Sequence, residues 1–142
     1  MTGVRAPARP RQLSPGRKLA LAVEILLAYA RARRALRRQS LPAVAAALRR
    51  PADRPPVAPE SAYFTGLRLG AAVTRVLRAL PRDPRCLTAS LILAALLARR
   101  GIPATLVIGV RPHPFAAHAW VEHGGQPLLP PGTAPFERLL EI

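Results

Sequence analysis

Apolar residues recur at helical spacing in three stretches of the chain. At the start of the first, Ser14 suits an N-cap and Pro15 suits the first position of a helix. The residues that follow predict a long helix with arginine and lysine around an apolar face of Leu19, Val23, Leu26, Leu27, Ala30 and Leu36. A short helix over Pro42–Arg49 and an extended, proline-rich connector over Pro51–Pro59 are expected next.

The second and third stretches predict two more helices. One runs from Pro59 or Glu60 to Leu80, with an apolar face of Tyr63, Leu67, Leu69, Gly70, Val73, Val76, Leu77 and Leu80. The other begins at or just after Arg85 and is apolar almost all round through Leu97. A helix without a polar face is expected to lie at the centre of the fold.

The pattern then changes to that of short strands. Ala104–Val110 and Ala116–His123 predict two strands, Gly124–Gly125 a tight hairpin turn, and Gln126–Leu129 a third strand. Glu137–Ile142 is expected to form a closing helical turn.

This order of elements predicts an α+β fold, in which N-terminal helices precede a central helix packed on a small antiparallel sheet. We divide the chain into a basic helical region, residues 1–58, and a core region with the central helix and the sheet, residues 59–142, and expect one compact unit.

Charge narrows the choice of partners. The chain has 22 lysines and arginines against 7 acidic residues, a formal net charge of +15, which favours acidic partners. Aromatic residues make up only 4%, and no zinc-finger spacing or glycine-rich phosphate loop occurs, so nucleic-acid binding is not expected as the main function. No cofactor or metal site is expected.

Two further bulk features concern location. The apolar runs Leu19–Ala30 and Leu87–Ala98 fall short of the roughly 20 residues of a membrane span. A single cysteine excludes an internal disulfide and suits a reducing compartment, so we predict a cytoplasmic protein.

That cysteine, Cys86, lies where a proline-rich connector meets the predicted central helix. The first turn of a helix offers free N–H groups and partial positive charge, and Arg82 and Arg85 add to it; both favour a reactive thiolate. The same N–H groups suit the oxyanion of a tetrahedral intermediate. A lone cysteine is otherwise an ordinary small core residue, and that alternative stays open on this position alone.

His118 is the candidate base. Strand alternation places His118, Trp120 and Glu122 on one face of the second strand, and a thiol on a helix packed against that sheet is the arrangement that thiol–imidazole catalysis requires. Trp120 and Arg85 are the candidate substrate-binding residues, although Trp120 suits the core equally well. The other histidines, at positions 113 and 123, are expected to be exposed and non-catalytic.

The stretch RCLTASLILAALLARRGIPATLVIGVRPHPFAAHAWVEHGG closely resembles the core of the lasso-peptide B proteins, the transglutaminase-like leader peptidases. The resemblance covers Leu80 to Leu129 and is most specific at the cysteine that starts the helix and at AHAWVE. It implies a cytosolic cysteine peptidase that cuts a precursor between leader and core, with Cys86 as nucleophile and His118 as general base. It also implies three partners: the precursor leader peptide, a small leader-recognition protein, and an ATP-dependent macrolactam cyclase.

The third member of the family triad is not matched. The family places an aspartate twelve residues after the histidine, where this chain has Pro130. A main-chain carbonyl near Leu129, the Gln126 amide or Glu122 is the candidate replacement.

Three other functions stay open at this point. They are an acyltransferase with the same Cys–His pair, a catalytically decayed interaction protein, and a basic nucleic-acid-binding protein. The arginine-rich stretch Arg31–Arg38 is either a solvated helix face or a docking surface for an acidic leader or its recognition partner.

Overall fold

The structure is a computed structural model that describes residues 12–48, 58–81, 86–130 and 135–142 of the chain. Its elements are α1 (Pro15–Leu36), α2 (Leu41–Leu48), α3 (Pro59–Arg78), α4 (Cys86–Arg99), β1 (Thr105–Pro112), β2 (Phe115–His123), β3 (Gln126–Pro127) and β4 (Glu137–Glu141). The predicted α+β class is confirmed. The predicted connector Pro51–Pro59 lies largely outside the described residues. Among the described residues, no helix combines the length and the apolar character needed to cross a membrane.

α1 begins as predicted but buries a different face. The Ser14 side chain accepts a hydrogen bond from the Arg17 N–H at 3.4 Å, with Pro15 at the first helical position. The apolar face predicted from Leu19 to Leu27 is wrong, because Leu19 is 66% exposed and Leu27 52%. The residues that α1 buries are Ile25, Ala28 and Ala32. The two small alanines let α1 lie close to α4. Because α1 is apolar on both sides, the sequence did not indicate which face would be buried.

α4 is the central element, as predicted. Every residue from Ser90 to Leu97 is buried, and α1, α2, α3, β1 and β2 all pack against this helix. Its C-terminus is closed by Gly101, at φ 70°, with the Ile102 N–H donating to the Leu97 carbonyl at 3.0 Å. The helix therefore has a fixed length between the connector and β1.

β1 and β2 form a regular antiparallel hairpin that sets the register of the sheet. Gly109 lies opposite His118, and Val107 lies opposite Trp120. Gly124 and Gly125 take positive φ angles in the turn to β3, as the predicted hairpin requires. The strand order is β3-β2-β1-β4.

The closing segment is a strand and not the predicted helical turn. Glu137–Glu141 pairs antiparallel with the outer edge of β1 as β4. The Leu106 N–H donates to the Ile142 carbonyl at 2.7 Å, and the Ile142 N–H donates to the Leu106 carbonyl at 2.8 Å. The free edge of β1 supplied backbone partners to a short segment whose own residues favour no element strongly.

Candidate active site

Cys86 is the first residue of α4, where the helix meets the open side of β2. The cysteine is free and partly buried. Its Sγ accepts a hydrogen bond from the Ala119 N–H at 3.4 Å. Ala119 directly follows His118 on β2, so the fold brings the cysteine and the histidine strand together. The hydrogen bond described for the sulfur comes from this backbone N–H and not from the imidazole.

The imidazole of His118 is held by a backbone carbonyl. Its Nε2 lies 3.0 Å from the carbonyl oxygen of Pro130. A carbonyl oxygen only accepts, so Nε2 carries the proton and, in the neutral ring, Nδ1 is left as the acceptor. The acceptor is therefore the main-chain carbonyl of Pro130, the position at which the resemblance implied an aspartate. It is next to Leu129, near which a carbonyl acceptor was predicted.

The carbonyl segment is itself braced by α3. The Leu128 N–H donates to the Val121 carbonyl at 2.7 Å, which ties the segment to β2. On the other side, a Cβ added at Gly70 would lie 2.7 Å from the Leu128 carbonyl oxygen, and one at Gly66 would lie 2.7 Å from the Leu128 side chain. Two glycines one turn apart thus let α3 lie directly on the residues that lead to Pro130.

Two aromatic rings enclose the imidazole of His118. Trp120 lies nearly parallel to it, at 6.0 Å between centroids and 22° between planes, and Phe136 lies at 5.6 Å. Gly109, opposite His118 in β1, makes room for both, since a Cβ there would lie 2.8 Å from Phe136 Cβ and 2.9 Å from the Trp120 ring. Only a glycine at this strand position lets the two rings close over the sheet.

Trp120 and Glu122 form a buried polar pair beneath the histidine. The Trp120 indole N–H donates to Glu122 Oε1 at 2.9 Å, and Arg138 donates to both carboxylate oxygens at 2.8 and 3.2 Å. The hydrogen bonds to Glu141 and Glu122 raise the pKa of Arg138. Glu122 is 7% exposed, so it is a buried salt-bridge residue that fixes Trp120. Its carboxylate binds Trp120 and Arg138, so Glu122 is not the acceptor for the His118 ring.

The remaining candidates lie apart from this cluster. Arg85 and Arg82 lie outside the described residues. His113 is exposed, and His123 Nδ1 lies 2.6 Å from the Pro103 carbonyl. Gln126 is exposed on β3. Within the described ranges, no three histidine, cysteine or acidic side chains are grouped to hold a metal ion.

Sequence reasoning missed two residues that shape this site, and also a buried serine that lies near Cys86 in α4. Phe136 follows a stretch without periodicity, so nothing pointed to its ring contact with His118. Gly109 carried a usable signal, because a glycine inside a strand often marks a close approach. Ser90 lies one turn after Cys86; it is fully buried, and its hydroxyl has no hydrogen-bond partner among the described residues.

Comparisons with known proteins agree with the resemblance seen in the sequence. Over 41 residues the chain is 58% identical to the microcin J25-processing protein McjB of Escherichia coli. The match covers 29% of this chain and 20% of that protein, so the chain matches only a fifth of the relative's length. No solved structure matches. The family model of the transglutaminase-like superfamily matches residues 20–141, nearly all of the chain, and the protein belongs to that superfamily.

Proposed function

We propose that the protein is a cysteine peptidase that removes the leader from a lasso-peptide precursor, with Cys86 as nucleophile and His118 as base. The observation that carries the proposal is the hydrogen bond of His118 Nε2 to the Pro130 carbonyl beside a thiol that contacts Ala119. It orients the ring and leaves Nδ1 as the nitrogen that can take a proton.

Membership of the superfamily supports the chemistry, because the transglutaminase-like superfamily includes cysteine proteases. The local match to a microcin J25-processing protein supports the substrate class. A separate leader-recognition protein and the macrolactam cyclase are proposed as partners, and the cytoplasm as the location.

The proposed reaction has two stages. His118 Nδ1 takes the proton of the Cys86 thiol, and the sulfur attacks the carbonyl carbon at the leader–core junction. The Ala119 N–H stabilises the thiolate, and the first turn of α4 stabilises the oxyanion that forms. The imidazolium of His118 then gives its proton to the departing amine, and the C–N bond breaks. In the second stage His118 takes a proton from water, whose oxygen attacks the acyl-enzyme. The C–S bond breaks, the proton returns to the Cys86 sulfur, and the leader leaves with a free carboxyl group.

The Pro130 carbonyl takes the place of the aspartate in this scheme. A neutral acceptor orients the ring as a carboxylate does but stabilises the imidazolium less. The burial of Trp120 and the ring contact of Phe136 limit water on that side of the histidine. A thiol needs less help to ionise than a hydroxyl, so a Cys–His pair can work with the weaker acceptor.

Incubation of the purified protein with its precursor peptide, followed by mass spectrometry, tests this proposal. Two fragments whose summed mass equals the precursor plus one water support the peptidase, and Cys86→Ser serves as the inactive control. Fragments that carry an added amine in place of water would show an acyltransferase. An uncut precursor, with Cys86 inert to iodoacetamide and the recognition protein present, would refute the enzyme and leave an interaction protein.

A further inference from the structure

A cleft of about 830 Å³ opens between α1 and α3, away from Cys86. Its lining includes Arg100, which directly follows α4. Since a helix rises about 1.5 Å per residue, Arg100 lies roughly 20 Å along α4 from Cys86. The cleft is therefore separate from the candidate active site, at the other end of the same helix.

The floor of the cleft is apolar. Ile25 and Leu69 are buried beneath it, and Leu21, Ala72 and Val76 are partly exposed along it. The lining residues of α3 extend from Thr65 to Val76, about 16 Å of helix axis. A floor of this length accommodates an amphipathic segment of about three helical turns laid along α3.

The rim of the cleft is strongly basic. Five cationic side chains line it: Arg17, Lys18, Arg68, Arg75 and Arg100. Glu24 is the acidic residue among the described lining residues, and it forms a two-pronged ion pair with Arg100 at 2.9 and 3.1 Å. Arg17, Lys18 and Arg75 are exposed. An occupant of this cleft meets aliphatic carbon below and positive charge on the sides.

We propose that this cleft binds an acidic, amphipathic peptide segment of a partner protein. Apolar side chains of the segment, spaced three or four residues apart, lie on the floor, and its carboxylates pair with the arginines of the rim. Such a surface holds a partner at a distance from the thiol and leaves the Cys86 end of α4 free.

Charge separates this occupant from two others. Residues 1–11, which precede the first lining residue, contain Arg5, Arg9 and Arg11 and no acidic residue. A second copy of the chain carries a net charge of +15, so it is repelled as well. Nucleic acid suits the charge but not the aliphatic floor, which offers no aromatic ring for base stacking.

Fluorescence anisotropy with labelled synthetic peptides tests the proposal. The probe has about 11 residues, the length of three helical turns, with leucine at helical spacing and glutamate elsewhere. A peptide of the same composition with scrambled leucines and a lysine version of the probe are its comparisons, and a labelled single-stranded oligonucleotide is the fourth ligand. All titrations use Cys86→Ala protein at physiological salt, so the result does not depend on whether the proposed peptidase activity exists.

We expect the acidic amphipathic probe to bind saturably, and the scrambled and lysine peptides to bind at least about tenfold more weakly. Arg17→Glu with Arg75→Glu should weaken the probe by about tenfold or more. The matched control, Arg31→Glu with Arg34→Glu, changes the net charge equally at exposed α1 positions outside the cleft, and should change the affinity by less than about twofold. Ala72→Trp fills the floor without changing the charge, and should also weaken binding about tenfold.

Four results would overturn the proposal. They are no saturable binding of the probe, equal binding of the scrambled peptide, equal effects of the two double charge reversals, and tighter binding of the oligonucleotide that Ala72→Trp leaves unchanged. The last would make the basic surface a nucleic-acid site. A change in the melting temperature of Ala72→Trp protein identifies a folding defect, and the charge reversals then decide the matter.

Discussion

The two ends of α4 carry different properties. At its N-terminus, Cys86 and His118 are partly buried, and the described hydrogen-bond partners of the thiol and the imidazole are the Ala119 N–H and the Pro130 carbonyl, both backbone groups. At its C-terminus, Arg100 and Glu24 border an open cleft with a basic rim. A single buried helix thus separates a candidate catalytic site, where the two described partners are uncharged backbone groups, from a charged, accessible surface suited to recognition.

The largest effect is expected from the Cys–His pair itself. Cys86→Ala and His118→Ala should each lower kcat/KM for precursor cleavage by at least about 10³-fold, since the pair acts as a unit. The double variant should lose no more than either single one. His123→Ala, a histidine held by another carbonyl far from the thiol, is the matched control and should retain activity. Additive losses in the double variant would show that the two residues act separately.

Gly70→Ala should break the close contact that supports the Pro130 carbonyl. The new Cβ would meet the Leu128 carbonyl oxygen at 2.7 Å, so we expect a loss of about 2 kcal/mol in the free energy of unfolding, measured with urea. The displaced segment should also lower kcat with little change in KM.

Two controls separate the causes of this loss. Gly16→Ala adds a Cβ with nothing within 4 Å and should not destabilise the protein. Val44→Ala destabilises the core on α2, and a fall in kcat there at equal stability would mean that Gly70 acts through general stability alone.

Pro130→Asp tests the neutral acceptor directly. A carboxylate that reaches His118 Nε2 would form a charge-assisted hydrogen bond, so we expect kcat/KM to rise by about tenfold. The alkylation rate of Cys86 at neutral pH should rise as well, because a stabilised imidazolium favours the thiolate. A folded variant with an unchanged alkylation rate would indicate that the main-chain carbonyl already stabilises the imidazolium of His118 as well as a carboxylate does.

Glu24→Gln acts at the other end of α4. The loss of the ion pair with Arg100 should lower the free energy of unfolding by about 1 kcal/mol. The same change should increase the affinity for the acidic probe, because it removes a negative charge from the cleft. It should leave the rate of precursor cleavage unaffected. Glu60→Gln, at an exposed position on α3, is the control for a lost carboxylate. A fall in kcat in Glu24→Gln protein would mean that the two ends of the helix are coupled.

The smallest expected effect concerns Ser90. Its buried hydroxyl has no partner among the described residues, so Ser90→Ala should raise the free energy of unfolding, by about 0.5 kcal/mol more than the exposed Ser61→Ala does. Chemical denaturation of both variants measures the difference. Destabilisation instead would reveal a hydrogen bond to this hydroxyl.

The sequence predicted which residues form the candidate site, but not the contacts between them. Cys86 at a helix start and His118 on a strand follow from periodicity and from the position of the prolines. From the sequence, the hydrogen-bond acceptor for the His118 ring could be limited to a few candidate groups. Which of them binds the ring depends on the packing of Leu128 against Gly70, which places the following residues. Phe136 reaches the imidazole because β4 pairs with β1, and that pairing joins residues far apart in the chain.

Short-range sequence signals determined the start of α1, the central position of α4 and the turn between β2 and β3. Ser14 and Pro15 start α1, an unbroken apolar run makes α4 central, and Gly124–Gly125 closes the hairpin, because caps, burial and positive φ angles act within a few residues. Only the tertiary structure decided which face of α1 is buried and whether Glu137–Glu141 forms a strand. Helix α1 has apolar residues on both sides and could bury either face, and the last segment has only a weak preference for strand or helix. Contacts with residues distant in sequence therefore decide both outcomes.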